Sequence, residues 1–261
     1  MKKVPFVPDV QDNLEQWSNH DWSSGGDEWS VGYGGTDAMW AWAIMPRIAA
    51  LLPAKHILEL APGFGRVTQF LVPSCDRLTL VDLTERCIDA CKERFKEFEH
   101  ISYHVNDGRS LDMVEDGSVD VVFSWDSLIH VEEDVISGYL EQLARKLVPG
   151  GFGFLHHSNL AAYRDKATGE LTIVNEHWRA AGMSAQRFRE LCREFGMTCL
   201  VQELVPWGGP HYTDCLSMFV RERRGLTRTK VVQNDRFFVQ VQQRLAGEVR
   251  RQAGNFRDAL R

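Results

Sequence analysis

The residues of this chain best placed to do chemistry are histidines and carboxylates at the ends of apolar runs. Asp126 and His130 stand four apart where the run SVDVVFSW gives way to polar sequence. In a helix, that spacing puts both side chains on one face. His156 and His157 close a second run, FGFLHHSNL. Strand alternation points the two rings to opposite sides, so only one faces a pocket at the strand end. Histidine, with an ordinary pKa of about 6.5, suits the removal of a proton from a weak nucleophile near neutral pH. Upstream, the stretch ILELAPGFGRVTQF holds Glu59, Pro62, Gly63 and Gly65. Glycines at a strand-to-helix turn let a ligand approach the backbone, because no Cβ intervenes. The first amides of the following helix are unpaired donors that favour anionic or polar groups. Asp82 ends the next run, RLTLVDLT, where a carboxylate can accept from both hydroxyls of a ribose.

The elements that must carry these residues follow from periodicity. Ile57, Leu58 and Leu60 suit a buried parallel strand, and Val67, Phe70 and Leu71 suit a helix packing back on it. ERCIDACKERFKEF reads as an amphipathic helix, ISYHV as a strand ending in Asn106-Asp107-Gly108, and EEDVISGYLEQLARKL as a long helix stopped by Pro149-Gly150-Gly151. The alternation βαβαβαβαβ predicts a doubly wound parallel sheet with ligands at the strand C-termini. MSAQRFRELCREFGM reads as a further helix capped by Ser184. TCLVQELVPW and CLSMFVRER then read as an antiparallel pair that completes seven strands.

Ahead of the first strand, Thr36 or Asp37 caps a predicted helix through AMWAWAIMPRIAALL, kinked or broken at Pro46. The first 30 or so residues read as loop. Trp17, Trp22 and Trp29 within them either fold over a ligand as a lid or cover an apolar flank. Three segments result: a lid over residues 1–35, a main domain over 36–221, and a tail over 222–261 with one helix in DRFFVQVQQRLAGEVRRQ.

Composition narrows the function classes. The net charge of −6 argues against a general nucleic-acid binder. From Arg221 to Arg261, eleven Lys/Arg face four Asp/Glu, so the tail carries +7 and the remainder −13. A basic tail on an acidic body can dock on its own domain or on a second subunit, so a homodimer through the N- or C-terminal segments is one expectation. No apolar run reaches the ~20 residues of a membrane span. The N-terminus lacks a signal-peptide core, and six scattered cysteines read as free thiols, which together predict a cytoplasmic protein.

The dinucleotide fingerprint requires a third small residue where Thr68 stands, and the Lys-Ser/Thr of a phosphate-binding P-loop is absent. Glu59 followed by Gly63 and Gly65, with Asp82 after the next strand, instead resembles the first motifs of the class I S-adenosylmethionine (SAM) dependent methyltransferases. That resemblance covers about residues 36–221. It implies a Rossmann-like, seven-stranded, mostly parallel sheet with helices on both faces. It also implies SAM over Gly63 and Gly65, its ribose on Asp82, its adenine on Asp107 and Gly108, and further contacts from Glu59, Trp125 and Tyr33. Gly34 and Gly35, beside Tyr33, are candidates by the same resemblance.

Strand ends four and five face the donor methyl in that family. There, His130 or failing it His157 is the expected base, with Asp126 in an acid/base or metal-binding role. Ile129 stands where metal-binding relatives carry a second acid. The runs WSVGYGGTDAMWAW, LELAPGFGR, VNDGRSL, SWDSLIHV and LHHSNL together resemble bacterial saccharide O-methyltransferases of the mycobacterial mannoside-methylating type. By that resemblance the acceptor is a sugar hydroxyl and magnesium assists with Asp126 as its ligand. His177, Trp178, Arg179, His211, Tyr212 and Asp214 are substrate candidates near the pocket mouth by their own chemistry, since aromatic faces stack on sugars and polar side chains bind hydroxyls. The alternatives are N- or C-methylation of a natural-product or quinone-like acceptor, and a non-catalytic partner-binding subunit.

Overall fold

A near-continuous apolar strand buried on both faces divides its side chains between two cores, and the first strand does so. In the computed structural model, which describes residues 8–207, 209–222 and 228–259 (without the side chains of 249 and 252–259), β1 spans Ala54–Leu60. Ile57 joins one core with Met39, Ile44, Leu71, Ile88 and Phe95. Leu58 and Leu60 join the other with Ile136, Leu140, Leu143, Phe188 and Leu191. Helices therefore cover both faces of the sheet, as parallel strands require.

The described residues open on a helix where the sequence reads as loop. α1 (Val10–Asn19) opens on a reciprocal cap: the Asp9 carboxylate accepts from the Asp12 amide at 2.8 Å and the Asp12 carboxylate from the Asp9 amide at 3.0 Å. A 3-10 turn over Asp27–Tyr33 follows, and then α2 (Thr36–Met39), which starts after Gly35 rather than at a side-chain cap. The helix passes through a π-helical stretch, Trp40–Ile44, before α3 (Met45–Ile48). Pro46 has no N–H to give to the Trp42 carbonyl, so the ladder is reset at that point. Arg244 of the C-terminal helix reaches that carbonyl instead, at 3.4 Å.

After β1 come α4 (Thr68–Leu71), β2 (Cys75–Asp82), α5 (Glu85–Arg94), β3 (Ile101–Val105) and β4 (Val119–Ser124). The chain continues through α6 (Glu133–Lys146), β5 (Leu147–Ser158), α7 (Ala185–Glu194, capped by Ser184), β6 (Met197–Val205) and β7 (Asp214–Arg221). It ends in β8 (Lys230–Gln233) and α8 (Phe237–Ala259). The strand order is β3-β2-β1-β4-β5-β7-β6-β8. β1 to β5 are mutually parallel, and β7 runs antiparallel to both β5 and β6.

The eighth strand corrects the expected seven. KVVQ is too short to stand out in a basic tail, but it pairs in parallel with Val201–Leu204 of β6. α8 runs on to Ala259, past the stretch DRFFVQVQQRLAGEVRRQ in which the sequence predicts the helix. Residues 1–7 of the expected lid segment and 223–227 and 260–261 of the tail lie outside the described residues. No helix among the described residues is long and apolar enough to cross a membrane.

Candidate functional site

The C-terminal ends of β1, β2 and β4 open into one cavity of about 1450 Å³. Two serines tie its floor together. Ser124 Oγ donates to the Leu60 carbonyl and Ser127 Oγ to the Ala61 carbonyl, each at 2.8 Å. Ala61 and Asp126, the residues just beyond β1 and β4, both take left-handed backbone conformations with φ of 55° and 61°. That turns the chain sharply at each strand end, a strain of the kind that collects at ligand sites.

On the β1–β2 side the lining includes Glu59, Gly63, Asp82 and Gly108. The buried Glu59 carboxyl accepts from Thr68 Oγ1 at 2.7 Å, and burial pushes its pKa up to about 8. Burial also raises Asp82, against the opposing pull of hydrogen bonds from the Thr84 and Gly63 amides. At Gly63 an added Cβ would stand 3.1 Å from the Trp22 ring, so the glycine lets the aromatic cover close down on the turn. Gly65 has another role. It does not line the cavity, and the space its Cβ would take is filled by Phe95, 2.5 Å away. The expected cofactor glycine therefore serves the packing of α5 under the turn. Asp107 likewise lies outside the lining. Its exposed carboxylate accepts from the Arg109 and Ser110 amides, which caps the turn and lowers its pKa, while Asn106 and Gly108 line the cavity.

On the β4–β5 side stand Trp125, Asp126 and His130. The segment from Asp126 to His130 is a bend and a 3-10 turn (Leu128–His130), with α6 beginning only at Glu133, so the helical spacing expected for the pair does not apply. Asp126 instead meets Arg66, whose Nη2 donates to Asp126 Oδ2 at 3.0 Å and whose Nη1 donates to Ser30 Oγ at 2.9 Å. His130 Nδ1 lies 2.9 Å from the Trp178 carbonyl. A carbonyl only accepts, so Nδ1 carries the proton and the neutral ring keeps its lone pair on Nε2. Burial lowers the His130 pKa below its ordinary value, which favours that neutral form. Trp17 and Trp178 flank the imidazole at ring distances of 5.2 and 5.9 Å.

The insertion after β5 is clamped to this side of the cavity. The Glu132 carboxylate accepts from the Ala181 and Gly182 amides at 2.7 and 2.8 Å, and the Ala180 amide donates to the Ile129 carbonyl. His177, Trp178 and Arg179 consequently line the cavity. Asp214 sits behind them, fully buried, accepting from Arg179 Nε at 2.8 Å and facing His156 Nε2 at 3.1 Å. Burial alone would raise its carboxyl, but His156 and Arg179 hold it below the usual range. Asp214 thus positions other groups rather than touching a ligand. His211 and Tyr212 pack on Tyr163 outside the cavity, the first by ring contact at 5.3 Å and the second by its amide on the Tyr163 hydroxyl.

His157 is on the wrong side of the sheet for the role of base. It is stacked on Phe188 at 4.4 Å, its ring nitrogens face the Ser158 carbonyl and Ser217 Oγ, and burial lowers its pKa to about 4. The alternation expected of the pair brings His156 to the cavity side, but both its nitrogens are engaged, Nδ1 accepting from the Asp126 amide and Nε2 facing Asp214. The expected magnesium finds no matching donor set. Among the described residues no three metal-ligating side chains converge, and Asp126 is paired with a guanidinium.

Two features of the site lie outside the sequence expectations. Arg66 follows Gly65 directly and is buried against Asp126, a partner 60 positions away. Trp207, just past the end of β6, packs edge-on or tilted against Tyr33, His156 and Phe238. The roof comes from both chain ends. Asn13 of α1 donates to the His130 carbonyl at 3.1 Å, and Phe238 and Gln242 of α8 line the far wall.

Residues 57–151 match the family described as methyltransferase domain. The phosphoethanolamine N-methyltransferase 1 of Zea mays is 28% identical over 154 residues, which are 58% of this chain and 30% of that protein. Nodulation protein S of Sinorhizobium fredii is 29% identical over 126 residues, 47% of this chain and 57% of that protein. The chain spans about 30% of the length of the first curated relatives it matches. Among solved structures, the N-methyltransferase NodS of Bradyrhizobium japonicum in complex with S-adenosyl-L-homocysteine superposes with a TM-score of 0.56 at 20% identity, over 82% of this chain and 99% of that one. A sarcosine dimethylglycine methyltransferase structure from Galdieria sulphuraria gives 0.55 at 16%, over 80% and 88%. The fold is that of the class I methyltransferases, and residues 57–151 match a methyltransferase domain.

Proposed function

We propose that the protein transfers a methyl group from SAM to a nitrogen of a small polar acceptor, with His130 as the proton acceptor. The observation that carries this is the state of His130. Its tautomer is fixed by the Trp178 carbonyl, its lone pair is left on Nε2, and it lies between two tryptophans in the cavity that also holds the cofactor-binding strand ends.

The cavity residues fit the cofactor. Glu59 and Asp82 are buried carboxyl groups on the β1–β2 side, Gly63 brings backbone to the surface, and Gly108 with Asn106 lines the end nearest β3. SAM, held there with its ribose on Asp82, supplies an electrophilic methyl group. This chain's own part is to orient the acceptor and to take its proton. As the acceptor nitrogen forms its bond to carbon, His130 Nε2 takes the proton that nitrogen gives up. The acceptor nitrogen attacks as a neutral amine, and the tryptophan faces beside His130 suit the positive charge it carries as the bond forms.

The relatives named above as N-methyltransferases support a nitrogen acceptor. A second reading, methylation of a sugar hydroxyl as in the mannoside-methylating enzymes, is supported by Trp178 with His177 and Arg179 on the cavity wall, since aromatic faces stack on sugars and polar side chains bind hydroxyls. The test is transfer of a labelled methyl from SAM to a panel of small amines, mannosides and phenols, with magnesium and with chelator. Label on an amine, insensitive to chelator, is the expected result. Label on a sugar moves the conclusion to the second reading. S-adenosylhomocysteine failing to raise the melting temperature overturns both.

A further inference from the structure

Three hydrogen-bond donors of the cavity wall have no partner among the described residues. They are Tyr33 Oη, Trp125 Nε1 and Arg179 Nη2. All three side chains are buried, at 1%, 4% and 2% exposure, and all three line the cavity. Buried polar groups of native proteins are nearly always satisfied, so each such exception calls for an explanation. The indole and the guanidinium can only donate, so they cannot satisfy one another.

The three belong to one cluster. Trp207 touches Tyr33 at 6.0 Å, the Arg179 guanidinium at 5.9 Å and His156 at 5.3 Å, and His156 in turn touches Trp125 at 5.0 Å. The carboxylates nearby are already engaged. Asp214 is shared among His156, Arg179 and Thr213, and Asp126 Oδ2 is held by Arg66. These carboxylates therefore leave the three donors unanswered, and a group that satisfies them has to accept hydrogen bonds. An oxyanion does so from several directions at once.

Location says what carries the oxyanion. Trp125, His156 and Asp214 belong to the ends of β4, β5 and β7, whereas Gly63 and Asp82 belong to β1 and β2 on the other side of the strand order. We propose that Tyr33, Trp125 and Arg179 form an anion subsite for the acceptor, which carries a carboxylate or phosphate group in addition to the atom that is methylated. This rests on the methyltransferase reading. The other source of the same chemistry is the carboxylate of the cofactor itself, and the test separates the two.

The full chain is saturated with S-adenosylhomocysteine, whose own carboxylate then occupies its place. Sodium phosphate and sodium acetate are titrated separately by thermal shift against sodium chloride at matched ionic strength. The expected result is a further, saturable stabilisation by one or both oxyanions, with the dissociation constant raised at least threefold in Tyr33→Phe and in Trp125→Phe. Neither variant removes a hydrogen bond made within the protein, so both are expected to fold. Arg179→Met, which strips Asp214 of a partner, serves only as a third comparison. No oxyanion effect beyond chloride overturns the proposal, as does an effect that both variants retain in full. An effect seen without S-adenosylhomocysteine and abolished by it assigns the subsite to the cofactor and also overturns it. If S-adenosylhomocysteine does not bind at all, the methyltransferase reading falls, and the assignment to an acceptor falls with it.

Discussion

His130 and Glu59 show how burial sets the chemistry of single residues here. The His130 ring is held neutral by burial, with its pKa below the ordinary value. In the proposed role of base, its activity is full above that pKa and lost as pH falls through it. The expected pH profile of kcat/KM has an acid limb below pH ~6.5 and no loss between there and neutrality. Replacing His130 with Ala is expected to lower turnover by roughly 10²–10⁴ while leaving cofactor affinity within a few-fold. An acid limb above pH 7 in the parent enzyme would assign the proton to another group. Glu59 works in the opposite sense. With a folded pKa of about 8 against an ordinary value of 4.5, the native state keeps a proton that the unfolded chain has already released. Stability contributed by this group is full below pH ~4.5 and is lost as pH rises toward 8, by on the order of a few kcal/mol. Glu59→Gln keeps an acceptor for Thr68 and removes the titration. It is expected to raise the melting temperature of the ligand-free protein more at pH 8 than at pH 5. An equal change at both pH values would mean that Glu59 does not titrate in that interval.

At the scale of elements, the turn after β1 does two jobs through two glycines. Gly63 faces the cavity and the tryptophan cover, whereas Gly65, at φ 78°, faces Phe95. Gly65→Ala is expected to destabilise by ~2–3 kcal/mol, because left-handed backbone and a clash with a buried ring add. Gly169→Ala, also left-handed but with open space around its Cβ, is expected to lose only ~1 kcal/mol. Denaturant titration checks both, and Phe95→Leu in the Gly65→Ala background is expected to recover part of the loss. The same turn shows what sequence can and cannot reveal. The strand, the turn and the carboxylates of Glu59 and Asp82 follow from local pattern, because strand period and turn chemistry are local properties. What a glycine's missing Cβ makes room for is not local: Phe95 is 30 positions away. For the same reason Asp126 to His130 looks like one face of a helix until Arg66 and the Trp178 carbonyl hold the segment in a bend and a 3-10 turn. α1 was hidden by polar composition, although Asp9 and Asp12 carry its cap. β8 was hidden by its length of four residues, and its edge pairing depends on β6.

At the scale of the whole molecule, both chain ends close over one cavity. From the N-terminal side, α1 lays Val10 against Gly108 and ties Asn13 to the His130 carbonyl. From the C-terminal side, α8 packs Phe237 and Phe238 against Tyr33, and Leu245 occupies the space a Cβ on Gly34 would take. Arg47 and Asn234 meet on Glu203, which fastens the root of α8 to the helical segment before β1. The basic tail thus docks in part on its own domain, and the roof of the site is a joint between segments more than 200 positions apart. A ligand that fills the cavity contacts both halves of that joint, so its binding energy opposes the local opening of each. Saturation at 100 times the dissociation constant adds ~2.7 kcal/mol to the native state. S-adenosylhomocysteine is therefore expected to slow amide exchange in Asn13–Trp17 and in Phe237–Val241, as well as in the turn at Gly63. Phe238→Ala is expected to weaken protection at Tyr33 while leaving the β1–β2 turn responsive. Protection confined to Gly63 and Asp82, with both termini exchanging as before, would show that the roof is a fixed wall and that the ligand does not engage it.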